Sequence, residues 1–243
     1  MKKNHFFLLV CIGCIIVSCG KENRWDCFKR TGDIVSEERQ LDNFSTLETA
    51  DNIEVIIIQD TLNKIIIEAG ENLLGLVTSD VENGVLYLKN NNKCNWARSY
   101  KPKVIAYLHC IQLDSIVHNG YGQMTNNGLF IANHLNISIN NNGNVDMNID
   151  AVYCEVDLHQ SGDLILAGNC NTLGLWTSGN NWIRCSTLNV TTAFIETKST
   201  GNALLNCSYK LSAIVNGSGD VIYSGSPQII ETQIIGTGSV LPN

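Results

Sequence analysis

The stretch NGSGDVIYSG, Asn216 to Gly225, sets two glycines around a serine and follows them with an aspartate. Backbone N–H groups in such a run could cradle a phosphate, but that chemistry needs a GxGxxG or GK[ST] pattern leading into a helix. Neither pattern occurs here. A second candidate is acidic: Asp146, Asp150, Glu155, Asp157 and His159 fall within two short segments. Sugar cleavage would use paired carboxylates of this kind, together with Lys, Arg or Ca²⁺ on the same face. The repeat strands hold few bases, Arg184, Lys198 and Lys210 among them, and the acids alternate with apolar residues as any solvated strand face does. No GxSxG or HExxH motif occurs, and His109, His118, His134 and His159 are isolated, so no catalytic residue, metal or cofactor is expected. The third candidate is aromatic. Trp96 and Tyr100 in CNWARSY and Trp182 in GLWTSGNNWI, beside asparagine donors, could stack a sugar ring and bind its hydroxyls, whereas Trp176 reads as core.

Such side chains must be carried by strands. Ile53–Asp60, Lys64–Gly70, Gly84–Asn90 and Lys103–His109 are rich in β-branched residues and bounded by turn residues such as Asn83–Gly84. The segment ENLLGLVTSDVENG has room for a single helical turn, and no other segment holds a 3.6-residue period. After His118 the chain repeats. Marker glycines at Gly122, Gly143, Gly162, Gly179, Gly201, Gly219 and Gly238 lie 21, 19, 17, 22, 18 and 19 residues apart, the signature of stacked units. Two strands of about six residues with a turn and a connection account for that length. In VDMNID and CEVDLH, Val145, Met147, Ile149, Cys154, Val156 and Leu158 take one face, so stacked units share a continuous core. The opening motif is then one of seven equivalent turns. Each marker glycine is expected to need positive φ, and the Asn, Asp or Ser that follows it to serve the turn.

The chain of 243 residues has a net charge of −7 and no basic cluster, which argues against nucleic acid. Residues 1–18 read as an export signal: Lys2 and Lys3 precede an apolar run, Phe6 to Val17, too short to span a bilayer. The run ends IVSCG, which resembles a bacterial lipobox. The resemblance implies lipidation of Cys19, a membrane anchor, and a mature charge of −9. Gly20, in place of an aspartate, points to the outer membrane, on its periplasmic side or at the cell surface. Residues 19–40 read as a tether, 41–118 as a strand-rich part and 119–243 as a repeat part of one domain, since no Pro- or Ser-rich linker divides them. Seven cysteines remain after the signal and lipobox, and no CxxC pair suggests zinc. Cys27 and Cys94 lie in polar, strand-poor stretches and are the candidate disulfide.

The front half FSTLETADNIEVIIIQD…KIIIEAGENLLGLVTSDVENGVLYL, the serial GSG-type turns and the ending VIYSGSPQIIETQIIGTGSV together resemble the auto-transporter adhesin head GIN domain family, over about residues 41–241. The resemblance implies an all-β, right-handed β-helix-like solenoid with tight GSG turns, in a family without a known catalytic constellation. The function expected is a non-catalytic, adhesin-like or ligand-binding envelope lipoprotein, with a glycan or a surface protein as partner. The alternatives are a carbohydrate-active β-helix enzyme and a purely structural envelope protein. An oligomer is compatible with the pattern. Mass spectrometry of a nonreduced digest should contain the Cys27–Cys94 peptide, and two free thiols there would remove that pairing.

Overall fold

Isoleucine and valine dominate several seven-residue runs, and side chains of this kind pack best on a pleated, half-buried surface. The computed structural model describes residues 30–93 and 103–243, and these runs are strands within it. The order is β1 (Ile34–Gln40), β2 (Thr46–Thr49), β3 (Ile53–Gln59), β4 (Lys64–Gly70), α1 (Glu71–Leu74), β5 (Val77–Glu82), β6 (Val85–Asn90), β7 (Val104–Cys110), β8 (Ser115–His118) and β9 (Met124–Asn127). It continues with β10 (Phe130–Ile139), β11 (Val145–Leu158), β12 (Leu164–Gly179), β13 (Ile183–Ser199), β14 (Ala203–Val215), β15 (Val221–Ser224), β16 (Ile229–Ile234) and β17 (Val240–Pro242). The single helical turn read from ENLLGL is α1.

From β8 onward every pairing among the described residues is parallel, and the chain winds into a β-solenoid of about seven coils of about 19 residues. Two sheets face each other across a core of stacked columns. One column runs Val55, Met124, Val145, Leu164, Ile183, Ala203, Val221. The facing column runs Leu47, Ile116, Ile137, Val156, Leu175, Ile195, Ala213. All are buried, and a fully buried aliphatic side chain contributes about 1.5–3 kcal/mol relative to exposure. The N-terminal end is closed differently. There β4 runs antiparallel to β1 and β7, and β5 pairs antiparallel with β6. The β5–β6 turn has Asn83 at φ 52° and Gly84 at φ 79°, the Asn-Gly geometry that suits a two-residue hairpin.

Two expectations are corrected. The coils were expected to hold two separate six-residue strands. Instead β11 to β14 run 14, 16, 17 and 13 residues and pass from one sheet to the other without a break. The corner is made where two successive side chains point outward: Val152 and Tyr153 lie exposed between buried Ala151 and Cys154.

The second correction concerns the glycines. Of the seven markers only Gly179 has positive φ, at 110°. The requirement is space between coils. A β-carbon on Gly122 would lie 1.8 Å from the carbonyl oxygen of Ile53, on Gly162 2.4 Å from that of Gly143, on Gly201 2.0 Å from that of Asn181, and on Gly219 2.0 Å from that of Gly201. On Gly238 it would lie 2.2 Å from the oxygen of Gly219, and on Gly143 2.0 Å from Nε2 of His118. The stack also reassigns one marker. Gly179 sits against Gln160, so it belongs to the column of the first glycine of GSG, with Ser199 and Gly217. The second-glycine column is occupied in that coil by Asn181, which gives spacings of 21, 19, 19, 20, 18 and 19 residues. Asn181 is buried, donates to the carbonyl of Ser178 at 2.9 Å, and accepts from the Thr177 hydroxyl.

The stacking explanation separates two substitutions. Gly219→Ala should destabilise by about 1–3 kcal/mol, the cost of overpacking against a fixed backbone. Gly75→Ala, where a β-carbon meets nothing within 4 Å and φ is −65°, should be neutral or slightly stabilising. Urea unfolding of both variants measures the difference, and equal effects would remove the explanation.

Candidate functional site

The residues that follow the stacked glycines do not act on their own turns. The side-chain oxygen of Asn144 accepts from the backbone N–H of Asp163 at 2.9 Å, and Asp163 accepts from Trp182 N–H at 2.9 Å. Asn202 likewise accepts from Asp220 at 2.9 Å, and Asp220 from Ser239 at 2.8 Å. Each Asn or Asp thus bridges to the equivalent residue one coil on. Net, such a bond is worth about 0.5–1.5 kcal/mol. The glycine N–H groups are engaged as well: Gly219 N–H donates to the carbonyl of Ser199 and Gly238 N–H to that of Gly217, both at 3.1 Å. The GSGD segment is therefore a joint between coils, with the N–H groups of Gly217, Gly219 and Asp220 engaged by the coil before it.

A concavity lies on the other edge, at the corner between the two sheets. It has a volume of about 520 Å³ and crosses five successive coils, from β10 to β14. Asp150, Asn169, Asn189 and Asn206 form one wall, and Asn133, Asn171, Thr191 and Ser208 lie on the other side of the buried column Ala151, Cys170, Val190 and Cys207. Irregular strands shape it. The β12–β13 register shifts between Ile165 and Ala167, and the β13–β14 register shifts between Cys185 and Val190; bulges of this kind bend a strand and re-aim its side chains. The amide of Asn189 donates to Asn169 at 3.2 Å, and that of Asn206 donates to Asn189 at 3.1 Å. A ladder that uses one donor and one acceptor per amide leaves further hydrogen-bonding capacity facing the groove. At one end His134 stacks on Tyr153, with centroids 4.8 Å apart and planes at 10°. Tyr209, next to Ser208, is exposed at the other.

The candidates read from the sequence are placed as follows. Cys19, Cys27, Cys94, Trp96 and Tyr100 lie outside the described residues. The acidic set is divided by the corner: Asp146 and Asp150 precede Val152–Tyr153, Glu155 and Asp157 follow it, and they project from different sheets. No group of three or more metal-ligating side chains occurs among the described residues. Trp182 is half-exposed, and the Arg184 guanidinium lies 5.7 Å from its ring centroid while binding Asp163 at 3.0 Å. Trp176, read as core, is instead outward and half-exposed. Its ring lies across Gly174, where a β-carbon would come within 2.8 Å of it. A shallow cleft of about 110 Å³ separates it from Phe194. Cys110, Cys154, Cys170, Cys185 and Cys207 are free and buried. Burial pushes the Cys110 and Cys185 thiols up to about 12 and Cys170 to about 11, so they fill the core as protonated thiols. The groove was not read from the sequence, although its signal is present: Asp150, Asn169, Asn189 and Asn206 recur at 19, 20 and 17 residues.

Comparison with known proteins agrees with the fold. Residues 43–227 match the family described as "Putative auto-transporter adhesin, head GIN domain". The chain belongs to that family. Solved neighbours in fold include a "putative adhesin" of Bacteroides fragilis, 20% identical with a TM-score of 0.78, and a "putative lipid binding protein" of Parabacteroides distasonis, 17% identical with a TM-score of 0.66. A "putative adhesin" of Parabacteroides merdae is 21% identical with a TM-score of 0.61. Each comparison covers 87% of this chain and 97% of the other, and at these identities it shows the fold alone. One curated relative, an ATP phosphoribosyltransferase of Staphylococcus epidermidis, is 31% identical over 141 residues, which is 55% of this chain and 64% of that protein. The chain thus spans less than two thirds of that relative, and its glycine turns are packed against neighbouring coils. The family and two of these solved neighbours are described as putative adhesins, and the third as a putative lipid binding protein.

His118 is the one deeply buried histidine among the described residues. Its Nε2 lies 2.8 Å from the Gly122 carbonyl, so Nε2 carries the proton, and Nδ1 accepts from the Thr49 hydroxyl at 2.6 Å. Burial holds its pKa below the usual 6.5. The unfolded chain therefore binds a proton on this group before the folded one does, and stability should fall as pH drops below about 6.5. Thermal unfolding between pH 7.5 and 5 should show that fall, and His118→Gln should flatten it. An unchanged slope in the variant would exclude His118 as its source.

Proposed function

We propose that this head GIN domain is a non-catalytic, adhesin-like binding module that takes a glycan along the corner groove. The observation that carries the reading is the asparagine ladder in a 520 Å³ channel. Amides and hydroxyls at this density suit the alternating donors and acceptors of sugar hydroxyls. Tyr153 and Tyr209, next in sequence to the lining residues Val152 and Ser208, are exposed, and exposed aromatic faces pack against the apolar face of a pyranose. Four inter-strand steps give a length of roughly 19 Å, enough for several rings in line. The channel has an apolar floor of Ala151, Cys170 and Val190, with Ile131 and Val152 at its edge, between walls of Asn, Asp, Thr and Ser; it is the asparagine ladder along one wall that favours sugar hydroxyls over a lipid chain. Lipidation on Cys19 and export to the outer membrane belong to the same proposal, supported by the lipobox-like IVSCG and by the adhesin-like family.

A glycan array with the mature chain, followed by calorimetry on the hits, tests this. Asn189→Ala should weaken binding at least tenfold, about 1.4 kcal/mol, with the fold retained by circular dichroism. Trp182→Ala, remote from the groove, should leave binding unchanged. Absence of binding across a broad array, or equal losses in both variants, would overturn the groove as a glycan site.

A further inference from the structure

The two ends of the solenoid are finished differently. At the N-terminal end the outer strand β1 carries Glu37, Glu38 and Arg39, charges that discourage strand addition. At the other end β16 pairs with β14 and β17 with β15, and no strand among the described residues lies beyond them. Every residue of β16 is exposed. Its register places Ile230 on Leu211, Thr232 on Ala213 and Ile234 on Val215, so these three continue columns that are buried one coil earlier. Ile230 and Ile234 are nevertheless 45% and 54% exposed. The core is left open at this end.

The segment itself says what covers it. Ile229 to Ile235 reads I-I-E-T-Q-I-I, a palindrome about Thr232 apart from the Glu231–Gln233 exchange. An antiparallel pair of identical strands related by a two-fold axis sets residues opposite each other whose numbers share one sum. With Thr232 on the axis, Ile230 meets the second copy's Ile234 and Thr232 meets Thr232 on the core side. On the outer side Glu231 meets Gln233, and Ile229 meets Ile235. No like charges oppose. The only charge on the segment, Glu231, already pairs with Lys210 at 2.9 Å, so two copies of a chain with net charge −7 can meet here without repulsion. We propose that the protein forms a two-fold dimer through antiparallel pairing of β16 with β16 of a second copy, end to end, closing both open cores. The charged β1 end makes a head-to-tail stack the poorer match.

Cross-linking of the full chain in cells tests this. Residues directly opposite in such a pair have β-carbons about 4.5–5.5 Å apart, close to the separation a disulfide spans. Thr232→Cys should therefore give a disulfide-linked dimer under mild oxidant, whereas Lys198→Cys, exposed on the sheet face, should stay monomeric. Adding Ile230→Glu to Thr232→Cys should abolish the cross-link, and adding Ile234→Lys to that chain should restore it, because the register sets the two positions together. Protease resistance of each monomer reports that it is folded. A Thr232→Cys chain that stays monomeric, or cross-links no more than Lys198→Cys, would overturn the dimer. A cross-link indifferent to Ile230→Glu, or not restored by Ile234→Lys, would overturn its register.

Discussion

Neighbouring coils of this protein lie one strand spacing apart, about 4.8 Å, and at the turns that spacing leaves no room for a β-carbon. The carbonyl oxygens of Ile53, Asn181 and Gly201 stand where the side chains of Gly122, Gly201 and Gly219 would begin. The other regularities follow from this contact. Because the turns stack in register, Asn144, Asp163, Asn202 and Asp220 can each reach one coil forward. Because the coils stack in register, their aliphatic side chains form columns. A turn committed to its neighbours in this way spends most of its backbone donors on the adjacent coil.

The groove proposed to bind a glycan is accordingly on the other edge. At the corner the chain bends by turning two successive side chains outward, with Gly168 and Gly225 packed against the carbonyls of Ile149 and Cys207 beside it, and the outward positions are free to be polar. Bulges in β13 and β14 shape the bend. One edge of the solenoid holds the coils together, and the other is available for recognition.

Much of this was legible in the residues. Alternation placed Val145, Met147, Ile149, Cys154, Val156 and Leu158 inside, and the strands near Ile53, Lys64, Gly84 and Lys103 were readable within a residue or so. The repeat was visible as glycines, but the reason for them was not. A conformational need for glycine and a lack of space for any other residue leave the same letter in the sequence, and only the neighbouring coil distinguishes them. Asn181 was hidden for the same reason: it occupies a glycine column without being glycine, so Gly179 attracted the alignment. Trp176 was misread because outward aromatic residues on a strand share their spacing with inward ones, and the small residue that admits its ring, Gly174, sits two places away. The asparagine wall was periodic yet inconspicuous in a chain rich in asparagine.

The stacked register also has a kinetic side. Along β10 to β15 each strand pairs with a segment about 17–20 residues away, so closing each successive loop costs nearly the same small entropy. Order can then spread by accretion, one coil templating the next. The N-terminal part has no such staircase. Thr49 meets His118 across 69 residues, and β3 must find β7 and β9 over comparable distances. Folding rates fall as contacts become more distant in sequence, so the repetitive body can form early while the closed end waits for its long-range partners. The part of the molecule synthesised first is thus the part whose order is completed last.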